Sequence, residues 1–251
     1  MSVDRCAVYE FTLDETLRHL GKIAYHYEHL KSQKDSNPQQ ALEACFHLLN
    51  LTNRFDLKTK LLSLMQVQQK ALTTHALSPA VDSQKIADQQ TQINQWISQL
   101  EHQANPTIAW LKNPWIQIIQ PLFNQPGGLM PNIHPYLDQW YQQNNQEKQL
   151  TLQQFIDDYQ SLYAPISGCL RHLRQSKKTA KCHAESGFYH NTQLNSKHIY
   201  MIQIQVQMPC FPEISFSTRH LAIHFLHLPT IDQAPSKVDQ DIPFSLSLCQ
   251  F

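Results

Sequence analysis

The sequence predicts an α+β protein: a mostly helical domain followed by a small antiparallel β-sheet domain, with an N-terminal strand joining the sheet. Three observations carry this. Apolar residues recur every three or four positions from Leu17 to Leu173. After Gly187 they recur every second position. Asp14, Asn37 and Asp56 stand at cap positions ahead of helical runs, with Pro38 at a first helical position. The domains are expected at 13–181 (helical, roughly 160 residues) and 182–251 (β), with 1–12 adding a strand to a sheet of about three to five strands.

Ala7–Phe11 reads as a short strand. Asp14 caps a helix bearing Leu17, Leu20, Ile23, Tyr27 and Leu30. Asn37 opens a second, with Leu42, Cys45, Phe46 and Leu49, and Asp56 a third, with Leu57, Leu61, Leu64, Met65 and Leu72. Asp82-Ser83 starts a fourth, with Ile86, Ile93, Ile97 and Leu100. Asn105-Pro106 and Asn113-Pro114 punctuate apolar segments around Trp110 and Ile116, and Pro126-Gly127-Gly128 is a turn. A short helix is expected around Tyr136, Leu137 and Trp140. Thr151 is expected to cap the last long helix, Pro165 to kink or split it, and the basic 174–181 segment to end it. Tyr200–Met208, Leu221–Phe225 and Phe244–Leu248 alternate as half-buried strands, one face on a core and one in water.

The composition supports a real core, at 41% hydrophobic and 10% aromatic. Charged residues are only 16%, and Gln and Asn supply much of the polarity along solvated helix faces. The N-terminus lacks the apolar stretch of a signal peptide, and no apolar run reaches membrane-spanning length. Six scattered cysteines without a Cys-x-x-Cys pair fit a reduced cytosolic chain.

No phosphate-binding glycine loop and no nucleophile elbow occurs. Asp157 and Asp158 are adjacent and point in different directions on a helix, which suits a solvated face better than a catalytic dyad. Of 14 histidines, His220, His224 and His227 would share a face on a helix, yet the alternation around them indicates a strand. No catalytic residue, metal or cofactor is expected.

Charge is unevenly spread. From Arg171 to Leu228 the chain carries seven Lys and Arg (171, 174, 177, 178, 181, 197 and 219) against Glu185 and Glu213, a local +5 in a protein of net charge zero. Arg171, Arg174, Lys177 or Lys178, and Lys181 would form one stripe on a helix. Cations complementing the helix dipole explain only a few of these residues. Zero net charge argues against a dedicated nucleic-acid binder, so an acidic peptide is the expected partner.

Several segments then carry a resemblance. Glu185-Ser186-Gly187-Phe188-Tyr189, Phe211-Pro212-Glu213-Ile214-Ser215 and Leu221-Ala222-Ile223-His224-Phe225 occur in order. Lys58-Thr59-Lys60-Leu61-Leu62, Gln68-Gln69-Lys70, Pro126-Gly127-Gly128, Trp140 and Arg174-Gln175-Ser176 support them. Together they resemble the ZapD family, the Z-ring-associated proteins of bacterial cell division. The resemblance implies a symmetric homodimer, assembled through its helical domain, that binds the C-terminal tail of FtsZ and bundles protofilaments without chemistry. It implies a cytoplasmic protein recruited to mid-cell by FtsZ, with no membrane or nucleic-acid partner. The tail-binding positions it implies are Arg18, Lys22, Arg54, Lys58, Arg174, Lys177, Lys181, His220 and His224. The family carries arginine where this chain has His220 and His224, and a charged residue near Asn113-Pro114-Trp115. Two competing readings are a zinc-dependent hydrolase using His220, His224 and a carboxylate, and a nucleic-acid-binding adaptor.

Overall fold

Helices fill the first two thirds of the chain and strands the last, in a computed structural model that describes residues 6–53, 56–75, 83–192, 198–207, 209–217, 219–227, 230 and 232–251. Arg54, Asp82, Lys197, Met208 and Leu228, named above, lie outside the described residues. In chain order the elements are β1 (Cys6–Thr12), α1 (Glu15–Gln33), α2 (Pro38–Asn53), α3 (Leu57–His75), α4 (Ser83–His102), α5 (Pro106–Leu111), α6 (Pro114–Phe123), α7 (Pro135–Gln142) and α8 (Asn145–Gln175). The strands β2 (Lys177–Ala184), β3 (Phe188–Asn191), β4 (Ile199–Gln207), β5 (Cys210–Phe216), β6 (Leu221–His227), β7 (Ser236–Lys237) and β8 (Ile242–Gln250) follow. This is the expected α+β class, with β1 pairing antiparallel to β4. The chain forms two compact units, one of Met1–Leu17 with Arg171–Phe251 and one of Arg18–Leu170.

In the helical unit the Asx-Pro steps work as caps. Asn37 Oδ1 accepts from Gln40 N (3.2 Å), Asn105 Oδ1 from Thr107 N (3.0 Å) and Asn113 Oδ1 from Trp115 N (2.9 Å). Each satisfies an amide that the first helical turn leaves unpaired, and the following proline has no amide to satisfy. Leu20, Ile23, Tyr27, Phe46, Leu49, Leu61, Met65, Ile93 and Tyr159 are buried, as the three- and four-residue spacing requires. At Gly168 a Cβ would lie 1.9 Å from the Trp96 ring, so only glycine lets that indole pack flush on α8.

Three helical expectations are corrected. Helix α8 begins at Asn145, and its cap is Asn144, whose Oδ1 accepts from Glu147 N (2.9 Å). Thr151 is an interior residue whose hydroxyl donates to Glu147 O (3.2 Å). Pro165 does not split α8: the proline is buried beside fully buried Ile166, and apolar burial there outweighs one lost backbone hydrogen bond. The helix also ends at Gln175, taking in only Arg174 of the basic segment. Lys177–Ala184 is strand β2, paired along its whole length with β8 from Lys177↔Cys249 to Ala184↔Ile242. The cation spacing suited a helix, but sheet pairing decided the conformation, so no single helical stripe exists.

Among the described residues the β unit holds two four-stranded sheets. Sheet A has the order β1-β4-β8-β2; sheet B has β3-β6-β5, with β7 also pairing β6. They share one core: Ile202, Ile204, Val206, Phe244 and Leu246 from sheet A, and Leu221, Ile223 and Phe225 from sheet B. Phe244 meets Phe225 (ring centroids 5.1 Å) and Tyr189 (5.2 Å) across the interface. The Glu185–Tyr189 segment makes the step between sheets. Phe188 N donates to Glu185 O (2.9 Å), with φ of 46° at Ser186 and 71° at Gly187. Both central residues of this tight turn are left-handed, as a two-residue hairpin demands. A Cβ on Gly187 would lie 2.1 Å from the Val238 carbonyl oxygen. The simple in/out alternation fails on sheet A, where Met201, Gln203, Ser247 and Cys249 are buried on the face turned away from the shared core.

Candidate functional site

The pairing register fixes which residues share the outer face of sheet A. Glu10, Gln203, Ser247 and Thr179 form one cross-strand row, and Val8, Gln205, Ser245 and Lys181 the next. Lys177 lies on the same face, two residues from Thr179, whereas Lys178 alternates to the opposite one. Arg174, in the last turn of α8, grips Glu10 with both arms of its guanidinium: Nε to Oε2 at 2.9 Å and Nη2 to Oε1 at 2.8 Å. Gln203 Nε2 donates to the same carboxylate (3.1 Å), and Lys177 Nζ donates to Gln203 Oε1 (3.5 Å). Thr179 and Ser247 share a hydroxyl hydrogen bond of 2.8 Å. Ser176 Oγ donates to Leu173 O (2.9 Å) and to Gln250 O, which ties the α8-to-β2 step to β8.

Electrostatics follow from this pairing. The Arg174 hydrogen bonds, more than Gln203, hold the Glu10 carboxyl below the usual carboxylate range although partial burial pushes it up. Glu10 in turn raises Arg174. Arg174 is therefore committed to an internal ion pair. The exposed cations on this face are Lys177 and Lys181.

The outer face of sheet B is built from rings. Phe188, His224 and Glu213 form one cross-strand row. The Phe188 and His224 rings lie 4.6 Å apart, and His190 stacks on His220 at 5.9 Å and 12°. Phe188 is 41% exposed. His220 precedes β6, in the turn closed by Ser217 N donating to His220 O (2.9 Å), and exposed Arg219 is in the same turn. Strand alternation thus does not extend to Arg219 or His220.

The structure brings Arg174, Lys177 and Lys181 onto one face of sheet A and places His220 and His224 on the outer face of sheet B. In the helical unit, Arg18 and Lys22 are exposed one turn apart on α1, continued by the stacked rings of Tyr25 and His29 (6.0 Å). Lys58 Nζ donates to Glu101 O (3.0 Å) in the last turn of α4, where a cation complements the helix dipole. Arg54 lies outside the described residues. Among the described residues no three His, Cys, Asp or Glu side chains form a group that could hold a metal ion. Sequence reasoning missed Glu10 and Gln203, which organise Arg174, and Phe188 and His190, which frame the two histidines. A glutamate inside the first strand was the available signal.

A model of the ZapD family, described as a cell division protein, matches residues 20–224. The chain is similar to the cell division protein ZapD of Cupriavidus pinatubonensis, 27% identical over 252 residues that cover 97% of this chain and 99% of the relative. It is also similar to cell division protein ZapD of Coxiella burnetii, 26% identical over 255 residues covering 96% and 97%. The corresponding protein of Bordetella petrii is 25% identical over 248 residues, covering 96% and 98%. No described helix is long and apolar enough to cross a membrane.

Proposed function

Because the chain belongs to the ZapD family of cell division proteins, we propose that it serves division by binding the acidic C-terminal tail of FtsZ. In this reading it is a cytoplasmic homodimer that crosslinks protofilaments, promotes Z-ring assembly and reaches mid-cell through FtsZ itself. The observation that favours it most is the outer face of sheet A. Exposed Lys177 and Lys181 flank exposed Thr179, with the Glu10 charge already neutralised by Arg174. Such a surface attracts an acidic peptide without repelling it.

Within this reading Lys177 and Lys181 contact tail carboxylates, Arg174 holds the platform, and His220 and His224 offer a weaker second surface. Arg18 and Lys22 supply cations from the helical unit. A two-headed binder raises the effective concentration of the second filament, which gives bundling from modest single-site affinity. Sedimentation of FtsZ with GTP, with and without the protein, checks the proposal, together with titration of a fluorescent tail peptide. Extra pelleting and salt-sensitive peptide binding are expected. Unchanged pelleting together with no peptide binding would sink it.

A further inference from the structure

Strand β2 ends sheet A and, among the described residues, pairs with β8 alone. An antiparallel strand with one neighbour turns the N–H and C=O groups of alternate residues outward, away from the ladder. Along the eight residues of β2, about four present such groups. Lys177–Lys181 are all exposed. The strands that end the two sheets are β1, β2, β3 and β5. Neither β1, β3 nor β5 contains a lysine or arginine. Strand β2 contains Lys177, Lys178 and Lys181 and no acid. Among the described residues none of these lysines is in an ion pair.

The pleat divides the lysines. Lys181 lies on the outer face with Thr179, and Lys178 on the opposite face with Ala180 and Cys182. Lys177 Nζ reaches back over the sheet to Gln203 (3.5 Å). Lys181 and Lys178 therefore flank the open edge, one from each face. On the Lys178 face, Ala184 belongs to the shared core and Cys182 packs against it. Lysines on an edge guard against edge-to-edge association, and here the guard is selective. Two copies joined through β2 would crowd six lysines onto one ribbon, where like charges across strands repel. An acidic strand meets the opposite charge.

We propose that the open edge of β2 takes an extended acidic peptide as an added antiparallel strand, the orientation of every pair in sheet A. One carboxylate stands opposite Lys181, a second opposite Lys178, and small apolar side chains stand opposite Ala180 and Cys182. Main-chain hydrogen bonds supply affinity and the alternate side chains specificity. The identity of the peptide rests on the tail-binding reading above: the FtsZ tail would be held as a strand, not laid across the outer face.

The probe is acetyl-Thr-Val-Glu-Val-Thr-Glu-Glu-amide, whose glutamates fall opposite Lys181, Lys178 and Lys177, titrated against the full chain by NMR. Two further versions carry backbone N-methyl groups on alternate residues, one on residues 2, 4 and 6 and the other on residues 3, 5 and 7. Methylating the amides that face β2 should weaken binding at least tenfold, and methylating those that face solvent less than threefold. Lys178→Ala should weaken the probe about three- to fivefold, although Lys178 is on the face opposite Lys181. No saturable binding below about 1 mM, equal effects of the two methylation patterns, or an unchanged Kd in Lys178→Ala overturns the proposal. The FtsZ tail peptide, titrated in parallel, separates the two ideas. If the probe binds with the expected pattern and the tail does not bind, the edge stands and the tail reading falls. If the tail binds while the probe ignores methylation, the edge falls and the tail reading stands.

Discussion

The two outer faces of the β unit make opposite use of polar residues. Sheet A displays permanent charge and settles part of it internally: Arg174, Glu10 and Gln203 lock together, and Lys177 and Lys181 remain exposed. Sheet B displays rings, with His190 on His220 and Phe188 on His224, and only Glu213 as a fixed charge in their cross-strand row. One face offers fixed electrostatics; the other offers stacking surface and imidazoles. The difference teaches that a basic stretch of sequence need not be one basic surface. The pleat sends alternate residues to opposite faces, and two sheets on a common core turn their outer faces apart.

The harshest way to break this comparison is to break the step that joins the sheets. Gly187→Ala forces a Cβ against the Val238 carbonyl at a φ of 71°, and should cost about 2–4 kcal/mol of stability. Urea denaturation checks this, and both faces should fail together. Next comes the internal ion pair. Glu10→Ala should cost about 1 kcal/mol, discounted because both partners are partly exposed. A double-mutant cycle with Arg174→Ala should be strongly non-additive if Arg174 serves as a clamp. Since the Glu10 carboxyl is held low, this contribution is present above the ordinary carboxylate range and lost as pH falls through the folded value.

A histidine pair in the helical unit sharpens the contrast with sheet B. His26 stacks on His47 at 4.4 Å, and burial pushes His26 down to about 4. Burial lowers His47 as well. The unfolded chain takes these protons first, so stability should fall as pH drops from about 6.5 toward about 4. Denaturation midpoints across that window, flattened in His26→Phe, provide the check.

Smaller effects separate the faces as binding surfaces. Lys181→Ala should weaken tail-peptide binding about three- to fivefold and reduce its salt slope while leaving stability unchanged. Fluorescence anisotropy at two salt concentrations reads both. Replacing His220 and His224 together by arginine should tighten binding about twofold to threefold. An unchanged Kd would remove sheet B from the tail site.

Much of this fold was legible because local chemistry enforced it. Asn37 capped its helix as read, and β1 joined the sheet. Tertiary packing defeated other readings. Pro165 sits inside an unbroken helix because its surroundings are buried, and Thr151 is six residues past the helix start because Asn144 already caps it. The candidate site was legible as composition, an excess of cations, but not as geometry. The 174–181 spacing fits a helix and a strand almost equally well; a long-range ladder with β8, some seventy residues away in sequence, made the choice.

By itself the sequence determined the α+β class, the caps of α1 and α2, the apolar faces and the family, because each depends on neighbouring residues or on ordered motifs. Only tertiary structure decided that the strands form two sheets, that Arg174 is spent on Glu10, and that the lysines and the histidines occupy different faces. Those outcomes depend on which distant groups meet, and pairing between distant groups is set by whole-chain packing, which local periodicity does not encode.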